Sequence, residues 1–455
     1  MDSPSKWIRI KETFQLPQYV KEALQKLDDA GHIGYIAGGS VRDHLLKRAA
    51  KDFDIATSAQ PDELSTLFPE AITVGKAFGV LKIPLKTEMK GVGPEFLEIA
   101  TFRQDLEYED HRHPTGVLFS GPSEDAKRRD FTINGLFFDP KTSRILDFVG
   151  GYEDLKAGIV RAIGDPMERF GEDALRLLRA VRFTTSLGFL LEAQTAQAIQ
   201  AHSRLIRKVS AERIQSELSL MWTGKNPHLA LQLLSELGLL SWILPEVAAL
   251  QKVALVQQPD LWSQTLRATE VLSRQEPNRS KVLSWSVVLQ DTGKPAAAPR
   301  TEAKNFSGHE KEAAQIVLAL SERLKMSRSE SITLSLMVEE QPKFKDVFQM
   351  REATLQRFIR QPHFEELLAL HRAVATSSDG NLMPYQFCKA LLEDLKNAPP
   401  QNEIKLIGGE DLIQLGFRPG PTFSEILKTI EDLALERKLR NKEEALEYVV
   451  KHFVS

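Results

Sequence analysis

The sequence has little of what a secreted or membrane-embedded chain needs. Its 455 residues include one cysteine, Cys388, so no disulfide can form within the chain. No apolar run approaches the ~18 residues that cross a bilayer, and the N-terminal stretch "MDSPSKWIRIKETFQLP" has no apolar signal segment. We therefore expect a soluble, cytoplasmic protein without a membrane partner.

An excess of charge of one sign is also lacking. The 59 Lys and Arg residues nearly balance the 62 Asp and Glu residues, which gives a formal net charge of −3. Any nucleic-acid surface must therefore be a local basic patch. The sequence contains no Gly-x-x-x-x-Gly-Lys-Ser/Thr loop, which argues against a P-loop ATPase. A chain of this length predicts two to four domains.

The periodicity of the apolar residues changes near residue 150. Before it, "PQYVKEALQKLDDAGH" has helical spacing, whereas "GYIAGG", "KDFDIA", "ITVGKAFGVLKIPL", "EFLEIATFR" and "RILDFVGG" are typical of strands. From about residue 160 to the end the pattern predicts helices only. The stretch 290–310 is the most loop-like, and a Pro/Asn-rich joint at 397–403 precedes a C-terminal unit. These patterns predict a small α/β unit followed by helices.

A glycine turn follows the strand "GYIA". Gly38, Gly39 and Ser40 can present backbone N–H groups to a phosphate, and Arg42 can add a guanidinium where a helix begins. A Gly-Gly turn alone is more often a plain turn. The turn becomes a candidate phosphate site because of the acidic residues that follow it.

Two aspartates come a dozen residues after the turn. Asp52 and Asp54 stand at i and i+2 of a predicted strand, so both carboxylates should lie on one face, opposite Phe53 and Ile55. Mg²⁺ prefers one or two carboxylates completed by phosphate oxygens and water. The pattern predicts a Mg²⁺ site at Asp52 and Asp54, bridged to the glycine turn by a nucleoside triphosphate. Taken alone, Asp-x-Asp is more often a solvated edge strand.

The spacing of these two elements resembles that of the nucleotidyltransferase superfamily, which includes DNA polymerase β. It is most similar to the class II group of CCA-adding enzymes and bacterial poly(A) polymerases. "RRDFTIN" at 128–134 is similar to the ribose-recognition element of that group. The resemblance implies that Arg129 and Asp130 take the 2′-hydroxyl and that Asn134 belongs to the nucleotide-binding set. "DFVGGYEDLKAG" resembles the hinge between catalytic head and neck.

The stretch "GEDALRLLRAVRF" carries polar residues at every third position. Asp173, Arg176, Arg179 and Arg182 are predicted to lie mostly on one side of a single helix. A carboxylate and a guanidinium together offer an acceptor and donors to a base edge. The resemblance implies that Asp173 and Arg176 read the Watson–Crick edge of CTP or ATP, with Arg179 and Arg182 deeper, toward triphosphate or neck. "SAERIQSEL" at 210–218 matches the element that steadies this helix.

Two further stretches bear on nucleotide choice. Residues 102–119 resemble the flexible loop of CCA- and A-adding enzymes, which counts against a CC-only enzyme; His111 and His113 within it lack further ligands for a metal. Residues 75–97 depart from the CCA-adding pattern by a longer Lys- and Gly-containing excursion. This departure keeps open an ATP-only alternative, either an A-adding enzyme or a poly(A) polymerase.

The helical region resembles a metal-dependent HD phosphohydrolase domain whose ligands are mostly replaced. Gln264 and Gln290 stand where histidines are expected, while Asp291 and His309 remain. Two ligands rarely hold a catalytic metal. We expect a helical scaffold without phosphatase activity; the alternative is a second hydrolytic site.

The last fifty residues are similar to the tail of long bacterial CCA-adding enzymes. Basic residues of the neck and tail are candidates for contacts with tRNA phosphates, although each alone is more often a solvated charge. These residues are Arg204, Arg207, Lys208, Lys438 and Arg440.

The resemblance implies a polymerase β-like α/β head with a mixed sheet and an all-helical neck, body and tail, in an elongated multi-domain chain. The expected domains are a catalytic head at 1–158, a base-reading neck at 159–225, a degenerate HD-like body at 226–398 and a tRNA-binding tail at 399–455.

The implied activity is metal-dependent addition of C, C and A from CTP and ATP to the 3′ end of tRNA, without a nucleic-acid template and with release of pyrophosphate. The implied partners are the tRNA 3′ end, CTP and ATP, with no obligate protein partner. The rival classes are the ATP-only enzymes, an HD-type phosphohydrolase and a non-catalytic RNA-binding protein.

Overall fold

The computed structural model divides the chain into two compact units. They comprise Met1–Ala248 and Ala249–Ser455. The structure describes residues 6–10, 14–50, 52–73, 79–85, 95–106, 114–253, 260–297, 306, 308–397, 405–436 and 438–453.

The first unit contains a mixed eight-stranded sheet and two small ladders. The strands are β1 (Lys6–Arg9), β2 (Gly34–Ala37), β3 (Asp54–Thr57), β4 (Ile72–Thr73), β5 (Val80–Pro84), β6 (Phe96–Thr101), β7 (Arg103–Asp105), β8 (Val117–Phe119), β9 (Leu136–Asp139), β10 (Arg144–Asp147), β11 (Ile159–Val160) and β12 (Leu190–Leu191). The large sheet has the order β1-β10-β9-β2-β3-β6-β5-β4. Strands β3 and β6 are parallel and the other neighbours antiparallel. Strands β7 and β8 form a separate antiparallel pair.

Twelve helices accompany these strands in the described part of the first unit. They are α1 (Gln18–Asp29), α2 (Gly39–Leu45), α3 (Pro61–Leu67), α4 (Pro122–Lys127), α5 (Gly151–Ala157), α6 (Pro166–Glu172), α7 (Leu175–Leu187), α8 (Ala193–His202), α9 (Ala211–Trp222), α10 (Pro227–Glu236), α11 (Leu240–Ile243) and α12 (Pro245–Ala248). The predicted α/β head followed by helices is therefore confirmed.

Apolar spacing explains how the head assembles. Helix α1 buries Val20, Ala23, Leu24 and Leu27, the four positions that its sequence places on one face. Burying each leucine is worth about 1.5–3 kcal/mol. The sheet buries a cluster that includes Ala37, Ala56, Phe102, Ala126, Phe137 and Leu146. Gly34 at the start of β2 lets α1 pack closely on the sheet, because a Cβ there would lie 3.0 Å from Cδ2 of Leu24.

The expectation of helices only after residue 160 is wrong at one place. Strand β12 pairs in parallel with β11, so Ile159 lies opposite Leu190 and Val160 opposite Leu191. Gly158 adopts a φ of +66° and its carbonyl accepts a 2.7 Å hydrogen bond from the Leu190 N–H. A strand of two residues carries no periodicity, which is why the sequence did not reveal it.

The described part of the second unit is helical, as predicted. Its helices are α13 (Leu261–Gln275), α14 (Lys281–Leu289), α15 (Lys294–Ala297), α16 (His309–Arg323), α17 (Arg328–Glu340), α18 (Glu352–Ile359), α19 (Phe364–Ser377), α20 (Met383–Asn397), α21 (Gly409–Gln414), α22 (Pro421–Leu435) and α23 (Lys442–Phe453). The last three helices share an apolar cluster of Ile407, Leu412, Ile426, Ile430, Ala445 and Val449.

Several predicted segments fall partly outside the described residues. These are 107–113 of the predicted flexible loop, with His111 and His113; most of 75–97; most of 298–307; and 398–404 at the predicted joint. Within the described ranges, no helix has the length and apolar character that a membrane crossing requires.

Candidate active site

The glycine turn connects β2 to α2 and leaves space for a neighbouring arginine. Gly38 has a φ of +69°, which favours glycine, and a Cβ there would lie 2.9 Å from Nη1 of Arg129. The Gly38 N–H donates to the Leu136 carbonyl at 3.1 Å, and the Ser40 hydroxyl donates to the Ala37 carbonyl at 3.3 Å. The N–H groups of the first helical turn, from Gly39 onward, are those that a helix leaves without an intrahelical acceptor.

Arg42 is buried beneath this turn. Its Nη1 donates to Oδ1 of Asn134 at 2.7 Å, and its Nη2 lies 2.8 Å from Oδ1 of Asp43. Its guanidinium also lies 5.1 Å from the centre of the Phe183 ring. Arg42 thereby connects the glycine turn both to the segment 128–134, which contains Asn134, and to helix α7, which contains Phe183.

The two predicted metal-binding aspartates do not share one strand. Strand β3 begins at Asp54, and Asp52 precedes it. The parallel register places Asp54 beside Glu98 of β6, a residue that we did not predict. The surrounding protein withdraws Asp54 partly from water, and the Glu98 and Asp52 carboxylates repel its charge, so its pKa rises to about 6 although Arg129 opposes this. Part of the Asp54 side chain still reaches solvent.

The Arg-Arg-Asp segment depends on a carboxylate that the sequence analysis missed. Asp125 of α4 is 1% exposed. Its Oδ1 accepts a 2.8 Å bond from Nε of Arg128, and its Oδ2 accepts a 3.0 Å bond from Nη2 of Arg129. The two guanidinium groups hold the pKa of Asp125 below its usual value against the effect of burial. The i,i+3 and i,i+4 spacing within "SEDAKRRD" was the available signal.

Asp130 is the centre of the most connected part of the site. Its Oδ1 accepts hydrogen bonds from the Phe131 N–H at 2.8 Å and from Nδ2 of Asn134 at 3.0 Å. Its Oδ2 lies 2.7 Å from Nε and 2.6 Å from Nη2 of Arg179. Burial favours protonation, but Arg179 and these bonds outweigh it and lower the Asp130 pKa to about 2. Four bonds fill the acceptor positions of one carboxylate.

The predicted base-reading residues are held by separate elements, which corrects the expectation of one helix. Helix α6 ends at Glu172 and α7 begins at Leu175, so Asp173 lies in the joint. There its Oδ1 accepts a 3.1 Å bond from the Leu175 N–H. The three-residue spacing continued across the joint, and periodicity alone cannot show where one helix stops.

Both of the side chains predicted to read the base are fixed by neighbours. Nη2 of Arg213, on α9, donates to Oδ2 of Asp173 at 3.0 Å. Arg176 donates to Oε2 of Glu172 at 2.7 Å and to the Arg128 carbonyl at 3.0 Å. Helix α9 therefore packs against α7, as the match of 210–218 predicted.

Arg182 contacts helix α9 and shares Glu217 and the Phe183 ring with Arg179. Its Nε donates to Oε2 of the buried Glu217 at 2.6 Å, and its guanidinium lies 4.2 Å from the centre of the Phe183 ring. Two contacts were expected for Arg182, one with the triphosphate and one with the neck. This arrangement agrees with the contact with the neck. Glu217 also lies 3.9 Å from Arg179.

The cleft bounded by these elements has a volume of about 490 Å³. Ten predicted residues line it: Gly38, Gly39, Arg42, Asp54, Arg129, Asp130, Asn134, Asp173, Arg176 and Arg179. Ser40, Asp52 and Arg182 are not among its lining residues. The lining adds Arg103, Asp105, Pro114, Arg128 and Phe183, which we did not predict.

If Asp173 reads the base as the sequence resemblance implies, Arg213→Gln should impair the choice of base. Without the Arg213 guanidinium, Asp173 loses a charge-assisted bond worth about 1.5–3 kcal/mol and the orientation in which it would face a base. Misincorporation of UTP and GTP should rise about tenfold, with a smaller fall in kcat, as measured by single-nucleotide addition to tRNA. Arg204 is an exposed arginine of the neck, and Arg204→Gln is the matched control, which should leave the selectivity among nucleotides unchanged. Unchanged selectivity in Arg213→Gln would contradict this role.

The residues of the HD-like resemblance also come together, in the second unit. Gln264, Gln290, Asp291 and His309 line one cavity. Asp291 forms a 2.6 Å ion pair with Lys294. Across the described residues, no group of three or more His, Cys, Asp or Glu side chains is arranged to hold a metal ion.

Three models of known protein families match successive parts of this chain. Residues 34–161 match the poly(A) polymerase head domain family, 188–251 match the RNA- and SrmB-binding site of polymerase A, and 278–450 match tRNA nucleotidyltransferase domain 2. The nucleotidyltransferase class that the sheet and the cleft define is thus matched over most of the chain.

Individual relatives narrow this class. The chain is 33% identical to the CCA-adding enzyme of Lactobacillus helveticus, over 93% of this chain and 94% of the relative. It is 32% identical to the CCA-adding enzyme of Levilactobacillus brevis, over 96% and 97%. The structure of the Bacillus stearothermophilus CCA-adding enzyme in complex with CTP superposes with a TM-score of 0.72 at 26% identity, covering 96% of this chain and 98% of that one. The chain therefore belongs to the class II tRNA nucleotidyltransferase family, among the CCA-adding enzymes.

Proposed function

We propose that this chain adds C, C and A to the 3′ end of tRNA, taking the nucleotides from CTP and ATP and releasing pyrophosphate. One observation carries the proposal: a single cleft is lined by the glycine turn, by Asp54 and by the fixed pair Asp173 and Arg176. A phosphate site, an acidic site and a base-reading pair are the three parts that templating by protein requires. Binding RNA alone requires none of them.

The acidic part of the cleft suits a divalent cation. Withdrawal from water is the largest cause of the raised pKa of Asp54, and repulsion by the Glu98 and Asp52 carboxylates adds to it; a cation between these carboxylates would relieve the repulsion. We propose that the metal of this metal-dependent family is Mg²⁺ and that Asp52 and Asp54 hold it. When bound, Mg²⁺ would neutralise charge on the α-phosphate and on the departing pyrophosphate.

The remaining residues bind and orient. We assign the triphosphate to the backbone N–H groups of Gly39 and Ser40 and to the guanidinium of Arg42, with Gly38 providing the space beside Arg129. No covalent enzyme intermediate is needed, because the reaction depends on positioning and electrostatics.

The remaining assignments concern the ribose and the base. We assign the ribose to Arg129, which Asp125 fixes in place, and we assign to Asp130 and Asn134 the task of holding Arg179 and Arg42. Asp173 and Arg176 present an acceptor and donors to the base edge.

We also propose that the chain works as four parts: a head at 1–158, a neck at 159–225, a body at 226–398 and a tail at 399–455. Helices α10 to α12 begin the proposed body but are compact with the first unit. The basic residues of the neck are the first candidates for tRNA phosphates. Among them, Arg207 lies 5.7 Å from the centre of the Trp242 ring, in a surface depression that Arg204 and Lys208 also line.

The deciding experiment supplies three tRNAs, ending before CCA, after C and after CC, with CTP and ATP separately and together. We expect complete CCA on the first tRNA only when both nucleotides are present. Incorporation of ATP alone, on the CC-ended tRNA, would identify an A-adding enzyme. Long A tracts on unrelated RNA would identify a poly(A) polymerase.

A further inference from the structure

A second cavity lies wholly within the second unit and has no part in nucleotidyl transfer as proposed. Its volume is about 650 Å³, within the range of small-molecule sites. Its walls come from α13, α15, α16, α19 and α20 and from the turn of 3₁₀ helix at Gln341–Asp346. The cleft of the candidate active site is lined only by residues of the first unit.

Polar side chains that are more than nine-tenths buried are concentrated along this cavity. They are Gln290, Asp291, His309, His371 and Ser377, which are 3–8% exposed. Burying a polar group is costly unless it is hydrogen-bonded, so packed interiors rarely collect them. Their position along one cavity indicates a wall that contacts a polar ligand.

The charges of the cavity largely cancel. Asp291 is paired with Lys294 at 2.6 Å. Burial lowers the pKa of His309, whose Nδ1 lies 2.5 Å from the Phe306 carbonyl, and lowers that of His371 to about 4. Both imidazoles are therefore neutral at pH 7. The remaining lining charges, Lys345 and Asp379, are of opposite sign, so a highly charged ligand such as a nucleoside triphosphate is disfavoured.

Carboxamides supply the directional contacts. Gln264, Gln290, Gln341 and Asn381 all line the cavity. The contact of Gln290 Nε2 with Asp291 and that of Gln341 Nε2 with His371 Nδ1 are both 3.5 Å long, which leaves these amides capable of better bonds. A carboxamide pairs a donor with an acceptor, as the edge of a heterocyclic base does.

Aromatic rings complete the lining. Phe306 and Phe348 both border the cavity, and Phe348 is 55% exposed. A flat heterocycle can stack on such rings. We propose that this cavity binds a nucleoside, with its base hydrogen-bonded by the carboxamides and stacked on phenylalanine.

Calorimetric titration of the full chain with adenosine and with cytidine tests the proposal. At least one nucleoside should bind wild type and Arg176→Ala alike, because Arg176 belongs to the other site. Gln290→Leu should weaken binding about tenfold or more, equivalent to about 1.4 kcal/mol. Asn381→Leu, at the exposed edge of the cavity, should also weaken nucleoside binding about tenfold or more. It replaces Gln290→Leu as the test if the thermal melt of Gln290→Leu shows that this variant does not fold.

Two results would overturn the proposal. One is that neither nucleoside binds wild type at millimolar concentration. The other is binding that survives Gln290→Leu and Asn381→Leu but is lost in Arg176→Ala, which would place the nucleoside in the active-site cleft. Either result leaves CCA addition, measured separately with tRNA, unaffected.

Discussion

Replacing Asp54 with alanine is expected to lower nucleotide addition about 10³-fold or more while leaving tRNA affinity within about twofold of wild type. Asp54 lines the cleft at the start of β3, beside Glu98 and near Arg129. A metal-held carboxylate contributes several kcal/mol of charge stabilisation in the transition state, and each 1.36 kcal/mol is a factor of ten in rate. Under the proposal that basic residues of the neck contact the tRNA phosphates, tRNA binding should not depend on this carboxylate.

The measurement is single-turnover addition of C to tRNA, paired with a filter-binding assay for the same tRNA. Asp54→Asn removes the charge at nearly constant size and should behave like Asp54→Ala, and Asp52→Ala should fail in the same way. Asp29→Ala is the matched control, because Asp29 is a surface aspartate of the same unit that accepts a bond from Gln25. Normal turnover in either Asp54 variant would remove the metal assignment.

The local features of the fold were predictable because their causes are local. The apolar positions of α1 and five strand-containing stretches of the head follow from periodicity, and the glycine turn follows from the motif around Gly38. Strands β1, β8 and β9 were not predicted. The resemblance, rather than periodicity, named most of the expected site residues, and the structure places ten of them around one cleft. The types of these residues and the motifs that contain them were therefore enough to predict most of the residues of the candidate site.

The features of the site that the sequence did not predict depend on packing between segments that are far apart in the chain. Glu217 meets Arg182 from 35 residues away, and Arg179 meets Asp130 from 49 residues away. A sequence shows that such charges exist but not which of them pair. Asp125 is different, since its helical spacing to Arg128 and Arg129 was visible in the sequence.

The pairing of Asp130 with Arg179 gives the second large expectation, a loss of stability in Asp130→Asn. We expect the free energy of unfolding of the first unit to fall by about 2–4 kcal/mol, because the half-buried Arg179 would lose its closest counter-ion and keep Glu217, at 3.9 Å. Denaturant unfolding at pH 7 measures this. Asp139→Asn is the matched control: Asp139 is also buried but accepts neutral bonds from the Lys141 N–H and the Thr142 hydroxyl, so its loss should be about 1 kcal/mol.

The difference in the free energy of unfolding between wild type and Asp130→Asn should depend on pH. The folded pKa of Asp130 is about 2, below the ~3.9 of an unfolded aspartate. A depressed folded pKa stabilises the protein fully above the unfolded value, and this stabilisation disappears as the pH falls toward the folded value. The gap between wild type and Asp130→Asn should therefore be largest at neutral pH and narrow between pH 4 and pH 2. A gap that is constant across this window would show that the carboxylate charge is not its source.

Nucleotide use by Asp130→Asn then separates two roles of the residue. The sequence resemblance implies direct contact with the ribose 2′-hydroxyl, but four bonds already fill the acceptor positions of the carboxylate. If Asp130 acts by holding Arg179 and Asn134, the variant should lose activity with CTP and with dCTP by similar factors. We expect this parallel loss in kcat/KM, because Arg179 pairs directly with Asp130, whereas Arg129, to which we assign the ribose, is held by Asp125. A variant that instead accepts dCTP nearly as well as CTP would show that Asp130 itself reads the ribose, and that Arg179 gives way when a nucleotide enters the cleft.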